Sequence, residues 1–275
     1  MFSQLYFRSR PVWLRRFGLI AGLMLLSASF FAQIKPVSED PLYLFSNSAY
    51  TLPVRTGGFA LLHNSRYSVS KRVELGFHPL LMFLSPDIEI KWKQIEADQF
   101  TLASFHSVNY PSPFMRTMQI KGTGGFIARE FNIPDMFAFQ NGVLLSTAIS
   151  GRHFLTGKLL FEFAVNTKNL SEHSTVDLPL VYPRSEVYYK GYGFITGVSA
   201  EGKLVGRFSY MATSDAYFFP AEGFGFFSEN TLGLVWRTGK KFMLLGAAEL
   251  TYGDYPFGPQ WHLLPVLDFR WFLRV

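Results

Sequence analysis

The chain has 275 residues and no cysteine; 17% of its residues are charged and 17% aromatic, with 30 phenylalanines. A soluble domain carries about 25% charge, so this surface is short of it, and without a thiol no disulfide framework, thiolate metal site or lipid-attachment cysteine is possible. The net charge of +6 does not point to nucleic acid: Arg8, Arg10, Arg15 and Arg16 sit in an acid-free start, and without them 22 of the 26 cations face 20 acids, a near balance.

Residues 1–32 join that arginine-bearing start to an apolar run from Phe17 to about Phe31 and then to small residues. This is the layout of a secretory signal peptide. Ser27-Ala28-Ser29 meets a small-x-small rule and Ala32 offers a second site, so cleavage is expected between about Ser29 and Gln33. A retained signal anchor is the rival reading. The run is about 15 residues where a span needs about 20, which favours removal. No later apolar run reaches that length, so a mature membrane chain would have to be a barrel. Residues 33–57, with Pro36, Pro41 and Pro53, read as a periplasmic lead-in.

From 58 to 275 strand-like segments follow one another: 58–70, 73–84, 88–95, 100–110, 117–128, 136–149, 157–169, 185–200, 203–219, 226–237, 241–253 and 263–275. About twelve strands, an even number, suit an antiparallel transmembrane β-barrel in an all-β chain. Several alternate. Ile88, Ile90 and Trp92 oppose Glu89, Lys91 and Lys93, and Leu159, Phe161, Phe163 and Val165 oppose Glu162, Ala164 and Asn166. A period of two marks a strand whose faces meet different surroundings. The segment 117–128 contains Lys121-Gly-Thr-Gly-Gly125, which also suits a loop.

Ser85-Pro86-Asp87, Glu201-Gly202 and Thr238-Gly239-Lys240 have turn chemistry. Asn169–Arg184, Ala216–Phe226 and Gly253–His262 are the long connections. Counted back from a periplasmic C-terminus, the long ones fall outside, whereas Ser85 falls on the periplasmic side. Tyr252, Tyr255 and Trp261 crowd the outer strand ends, Trp236 and Trp271 the inner, where ring side chains suit a headgroup layer.

The last stretch, Leu263–Val275, sets Leu267, Phe269, Trp271, Leu273 and Val275 against Asp268, Arg270, Phe272 and Arg274. It resembles the closing strand of bacterial outer-membrane barrels, which ends on an aromatic residue read by the assembly machinery; here the last residue is Val275. The resemblance implies a bacterial outer-membrane location. It also implies outer-membrane lipid and lipopolysaccharide as surroundings, and the barrel assembly machinery as a partner of the C-terminal strand.

Alternation points Glu89, Lys91, Glu162, Arg207, Glu249, Asp268 and Arg270 into the lumen. Mixed charges in so narrow a space should pair, which predicts a largely side-chain-filled lumen. No catalytic, cofactor or metal site is expected. His63, His78, His106, His153, His173 and His262 form no HExxH or HxH pair. Gly191, Gly193 and Gly197 superficially resemble a dinucleotide loop, but small residues packing on one strand face explain them better. His106-Ser107-Val108-Asn109 shares residue types, not spacing, with the H-x-S-N-G motif of outer-membrane phospholipases; on one strand His106 and Ser107 point to opposite faces. The reading is a non-enzymatic outer-membrane barrel, either a narrow porin-like channel or a surface-contact scaffold. A barrel enzyme acting on lipid is the alternative, and a soluble β-protein binding an apolar ligand is more remote.

Overall fold

A computed structural model of the protein describes residues 45, 47–120, 126–149, 152–171, 174–221, 223–239 and 241–274. The leader 1–32 lies outside them. Twelve strands among the described residues close into one antiparallel barrel, each paired with its sequence neighbours. They are β1 Thr56–Ala60, β2 Ser65–Ser68, β3 Val73–Phe77, β4 Asp87–Glu96, β5 Thr101–Asn109, β6 Met136–Ala148, β7 His153–Asn166, β8 Tyr192–Lys203, β9 Phe208–Phe219, β10 Gly225–Thr238, β11 Phe242–Tyr255 and β12 Gly258–Arg274. β12 closes the ring on β1, with Thr56 opposite Arg274 and Ala60 opposite Arg270. Gly58 makes that seam possible: a Cβ there would lie 3.0 Å from Phe272 and 3.2 Å from Arg270, the two inward side chains that cross it.

The wall is inside out relative to a soluble domain. Trp261, Leu263, Leu267, Trp271 and Leu273 of β12 are all exposed on its outer face, while Asp268 and Arg270 are buried on the inner one. The outward positions of β7–β10 carry no Asp, Glu, Lys or Arg. Arg270 is the largest side chain among the fully buried ones. Alternation therefore sorts polar groups inward and apolar groups outward, the reverse of a sandwich core.

The strand number agrees with the sequence reading through two compensating differences. Segment 58–70 is two strands, split by a turn at 61–64, and no described residue of 117–128 is in a strand. In place of the latter, helix α1 (Ser112–Met118) follows Pro111. The two changes invert the direction of the strands between them. Ser85 therefore lies at the same end as Ser174, not the opposite one. At the end where β1 begins and β12 finishes, the connections are short: 69–72, 97–100, 149–152, 204–207 and 239–241. The other end, here the upper end, carries 61–64, 78–86, 110–135, 167–191, 220–224 and 256–257. The expected long loops at Ala216–Phe226 and Gly253–His262 are mostly strand. The second long connection is 110–135, and 167–191 contains helix α2 (Tyr182–Lys190), closed by Gly191 at φ 82°.

The rim is uneven. β1, β2 and β3 have 5, 4 and 5 residues, against 14 in β11 and 17 in β12. Above those short strands the wall is continued by loops 61–64 and 78–86, with Leu62, Leu80, Leu81 and Phe83 exposed.

Candidate functional site

The lumen is filled from both ends. At the lower end the chain ahead of β1 enters the barrel as a strap, residues 45 and 47–52. An extended segment inside a barrel brings main-chain donors and acceptors that water cannot reach, so the wall has to supply partners. It does so strand by strand. Phe45 N donates to Glu201 Oε2 of β8 at 2.8 Å, and Ala49 N to Ser146 Oγ of β6 at 2.8 Å. Leu52 N donates to Glu74 Oε2 of β3 at 2.8 Å. Lys91 of β4 donates to the Tyr50 carbonyl at 2.7 Å and to Glu74 Oε1 at 2.7 Å. Both members of that ion pair are buried. Apolar contacts complete the seal: Phe45 and Leu52 pack with Met211, Val235, Met243, Leu245 and Phe272. The Arg270 guanidinium lies 4.6 Å from the Phe45 ring centroid, a cation–π contact.

At the upper end the two long connections fold inward as a cap. Met115 of α1 and Val187 and Tyr188 of α2 join Ile127, Ile133 and Val176 in one apolar cluster with wall residues Phe105, Leu160, Ile195, Phe219 and Phe227. Polar contacts fix each helix. Ser112 Oγ donates to the Pro134 carbonyl and accepts from Met136 N, both at 2.9 Å. Asn166 Nδ2 donates to the Tyr188 carbonyl at 2.7 Å, and Tyr188 OH to Asn109 Oδ1 at 2.9 Å. On the outside of the cap, Tyr110 OH donates to Asp135 Oδ1 at 2.6 Å and Arg116 pairs with the same oxygen at 2.9 Å. The phenol first and then the guanidinium hold the Asp135 carboxyl below its ordinary range.

Between strap and cap lies a chamber of about 760 Å³, within the range of ligand pockets. Phe45 and Asn47 floor it, and Met115, Arg184 and Tyr188 roof it. Arg184 of α2 makes a two-pronged pair with Glu229, Nη1 to Oε1 at 2.5 Å and Nη2 to Oε2 at 2.7 Å, and Tyr217 OH donates to the same carboxylate at 2.9 Å. Lys158 pairs with Asp215 at 2.8 Å. Gly197 permits that pair, because a Cβ there would collide with the Asp215 carboxylate. The chamber reaches the surface over the low side of the wall, where exposed Leu62 and Leu81 line it.

Of the sequence-predicted lumen residues, Glu89, Lys91, Glu162, Glu249, Asp268 and Arg270 take inward positions on their strands. Arg207 does not. It is exposed in the turn 204–207, and its carbonyl accepts from Arg237 N at 2.8 Å. The reason is the strand boundary: β8 continues to Lys203, so Glu201-Gly202 is buried strand and not a turn. The filling also differs in kind from the side-chain plug the sequence suggests, since main chain and two helices supply much of it. Asp268 is not ion-paired across the lumen either. Its carboxylate accepts from Leu61 N, Leu62 N and His63 N at 2.9–3.0 Å and meets His63 Nδ1 at 2.6 Å, tying the β1–β2 turn to β12.

Glu74, Glu201, Arg184 and Glu229 escape the sequence reading. Glu74 alternates with exposed Leu75 and could have been found that way; Arg184 belongs to α2, a helix of nine residues whose sequence shows no apolar period. Gly193 and Gly197 do face inward in β8, as close packing implies, whereas Gly191 is a helix cap.

No family model matches the chain, and no curated protein matches it. Among solved structures it is similar to the ferric yersiniabactin uptake receptor FyuA from Yersinia pestis at 12% identity and a TM-score of 0.22, over 78% of this chain and 42% of that one. The chain thus spans less than half the receptor's length, and a likeness at that score carries nothing about function. The class is defined by the fold itself: a closed antiparallel barrel with an internal strap and cap.

Proposed function

We propose that the chain is an integral barrel of a bacterial outer membrane, exported by a cleaved leader, and that it is a narrow passage held shut at rest by its own N-terminal strap. The membrane reading is supported by the apolar outer wall and by strands β6–β12, each long enough to cross hydrocarbon, for which about 9–11 residues suffice. Trp236 and Trp271 near the lower rim and the adjoining rings of Tyr252 and Trp261 near the upper one, 4.3 Å between centroids, suit the two interfacial layers. Lipid and lipopolysaccharide are then its surroundings, and the assembly machinery would read β12.

The observation that carries the closed state is the strap, whose main chain is bonded to the inner faces of β3, β4, β6 and β8. Single-channel recording in planar bilayers tests it. Wild-type protein is expected to stay closed. The double variant Glu74→Ala/Glu201→Ala, which removes the two carboxylates that hold the strap, is expected to open in discrete steps. Steady porin-sized conductance from the wild type would overturn the reading, as would a silent double variant that still folds.

A further inference from the structure

Most polar groups in the chamber have partners, but one buried carboxylate oxygen does not. Glu162 is 3% exposed and lines the chamber. Its Oε1 accepts from Gln140 Nε2 at 3.1 Å, while Oε2 has no hydrogen-bonding partner among the described residues. Leaving a buried carboxylate oxygen unmatched is costly. A second carboxylate, Glu249, faces the same space and is in no ion pair among the described residues. Once Lys158 is matched to Asp215 and Arg184 to Glu229, four acids remain, Asp87, Glu89, Glu162 and Glu249, facing one arginine, Arg66, and the histidines His63 and His78. The charge left over is negative.

Around Glu162 the wall is apolar and aromatic, with Leu160, Ile195 and Tyr188 beside it, whereas Thr213 and Thr231 line the wall further round. The mouth over the short strands is apolar as well, at Leu62 and Leu81. A metal ion would want several converging oxygens, and no group of three or more such ligands occurs among the described residues. A single open carboxylate oxygen beside apolar side chains instead matches one charged N–H donor on an apolar body.

We propose that the chamber binds a small organic cation, a primary ammonium on a compact apolar body, with Glu162 Oε2 as its direct partner. The site needs the folded barrel, but neither conduction nor its absence. The closed-passage reading is tested by conductance alone, so the two can fail separately.

Benzylammonium is a suitable probe, with benzyl alcohol as its neutral isostere and benzoate as the opposite charge. Calorimetric titration of the full, folded barrel in a non-ionic detergent should show saturable binding of benzylammonium only. Loss of the charge-assisted bond in Glu162→Gln should weaken it about tenfold or more, and Glu249→Gln by less. Glu96→Gln, at an exposed position, should leave it unchanged. Binding that is absent, equal for the ammonium and the alcohol, or indifferent to Glu162→Gln would overturn the assignment. The comparison of probes in the wild type decides even where a variant fails to fold.

Discussion

The lower and upper halves of the lumen solve the same problem differently. Both bury charge against the inner wall of a barrel, where an unmatched group is expensive. In the lower half the partners are main chain: Glu74, Glu201 and Lys91 each bond a backbone group of the strap. In the upper half the partners are side chains, Arg184 to Glu229 and Lys158 to Asp215, and one oxygen of Glu162 is left over. A backbone segment can be satisfied by any residue sequence along it, so the lower half is a seal. A chamber with an unspent carboxylate is set up to hold something that is not part of the chain.

The largest effect should come from the seal. Glu74→Ala leaves the Lys91 ammonium buried beside an unbonded Leu52 N–H, and breaking a buried pair in that way costs about 3–5 kcal/mol. Urea unfolding of the refolded barrel, followed by the heat-dependent shift in gel migration, measures it. A cost below about 1 kcal/mol, the size of an exposed pair, would show that the strap is not held as described.

The inner wall can be told from the outer by substitution at neighbouring strand positions. Phe163 stacks on Phe139 on the outside, at 5.1 Å. Phe163→Arg should cost about 2–4 kcal/mol in a bilayer, and Phe163→Leu far less. Full assembly of Phe163→Arg in lipid vesicles would remove the membrane reading. Next in size, Asp268→Asn keeps the shape but weakens the charged acceptor shared by three backbone N–H groups of the 61–64 turn, at about 2 kcal/mol. Amide exchange at Leu61–His63 should speed up while β7 stays protected.

Glu162→Gln separates the halves most sharply. With no ion pair to lose and one unbonded oxygen to begin with, the change should cost less than about 1 kcal/mol or stabilise the barrel. The same chemistry at Glu74 should be strongly destabilising. Equal costs at the two positions would erase the distinction between seal and site.

How much of this could be read from sequence follows from what each segment faces. β4, β7 and β12 were legible because each side chain meets one of two contrasting surroundings, and a period of two records that. The strap was not, because what matters there is its N–H and C=O groups, which leave no residue pattern. Nor was the split of 58–70, since Leu61 and Leu62 keep the turn apolar where a polar break would be expected. Helix α1, with 7 residues, is too short for a 3.6-residue period to show. The pairing of Arg184 with Glu229 spans 45 positions and joins a helix of the cap to a strand, so only the closed barrel brings the two together. Glu162 was legible as an inward charge, but its solitude was not, because that depends on every neighbour around the ring.

The smallest expected effect lies outside the lumen, on the cap, and supplies a control for the others. Asp135 sits just ahead of β6 and receives the Tyr110 hydroxyl and the Arg116 guanidinium. Both contacts favour the ionised carboxyl, so its folded-state value lies below the ordinary 3.8. A group with a depressed folded value contributes stability above its unfolded value and loses it as the pH falls through the folded one. The contacts are therefore fully in place at neutral pH, and they should begin to loosen as the pH drops below 3.8. Tyr110→Phe removes the first of the two contacts and should flatten that dependence. Amide exchange of Ile120 and Ile127, compared at neutral and strongly acid pH, reads the cap directly. Loosening of the cap with rising pH would reverse the sign and show that Asp135 is held neutral. An acid response confined to the cap, with the strap amides Ala49 and Leu52 unchanged at the onset, would confirm that the two closures of the lumen are independent.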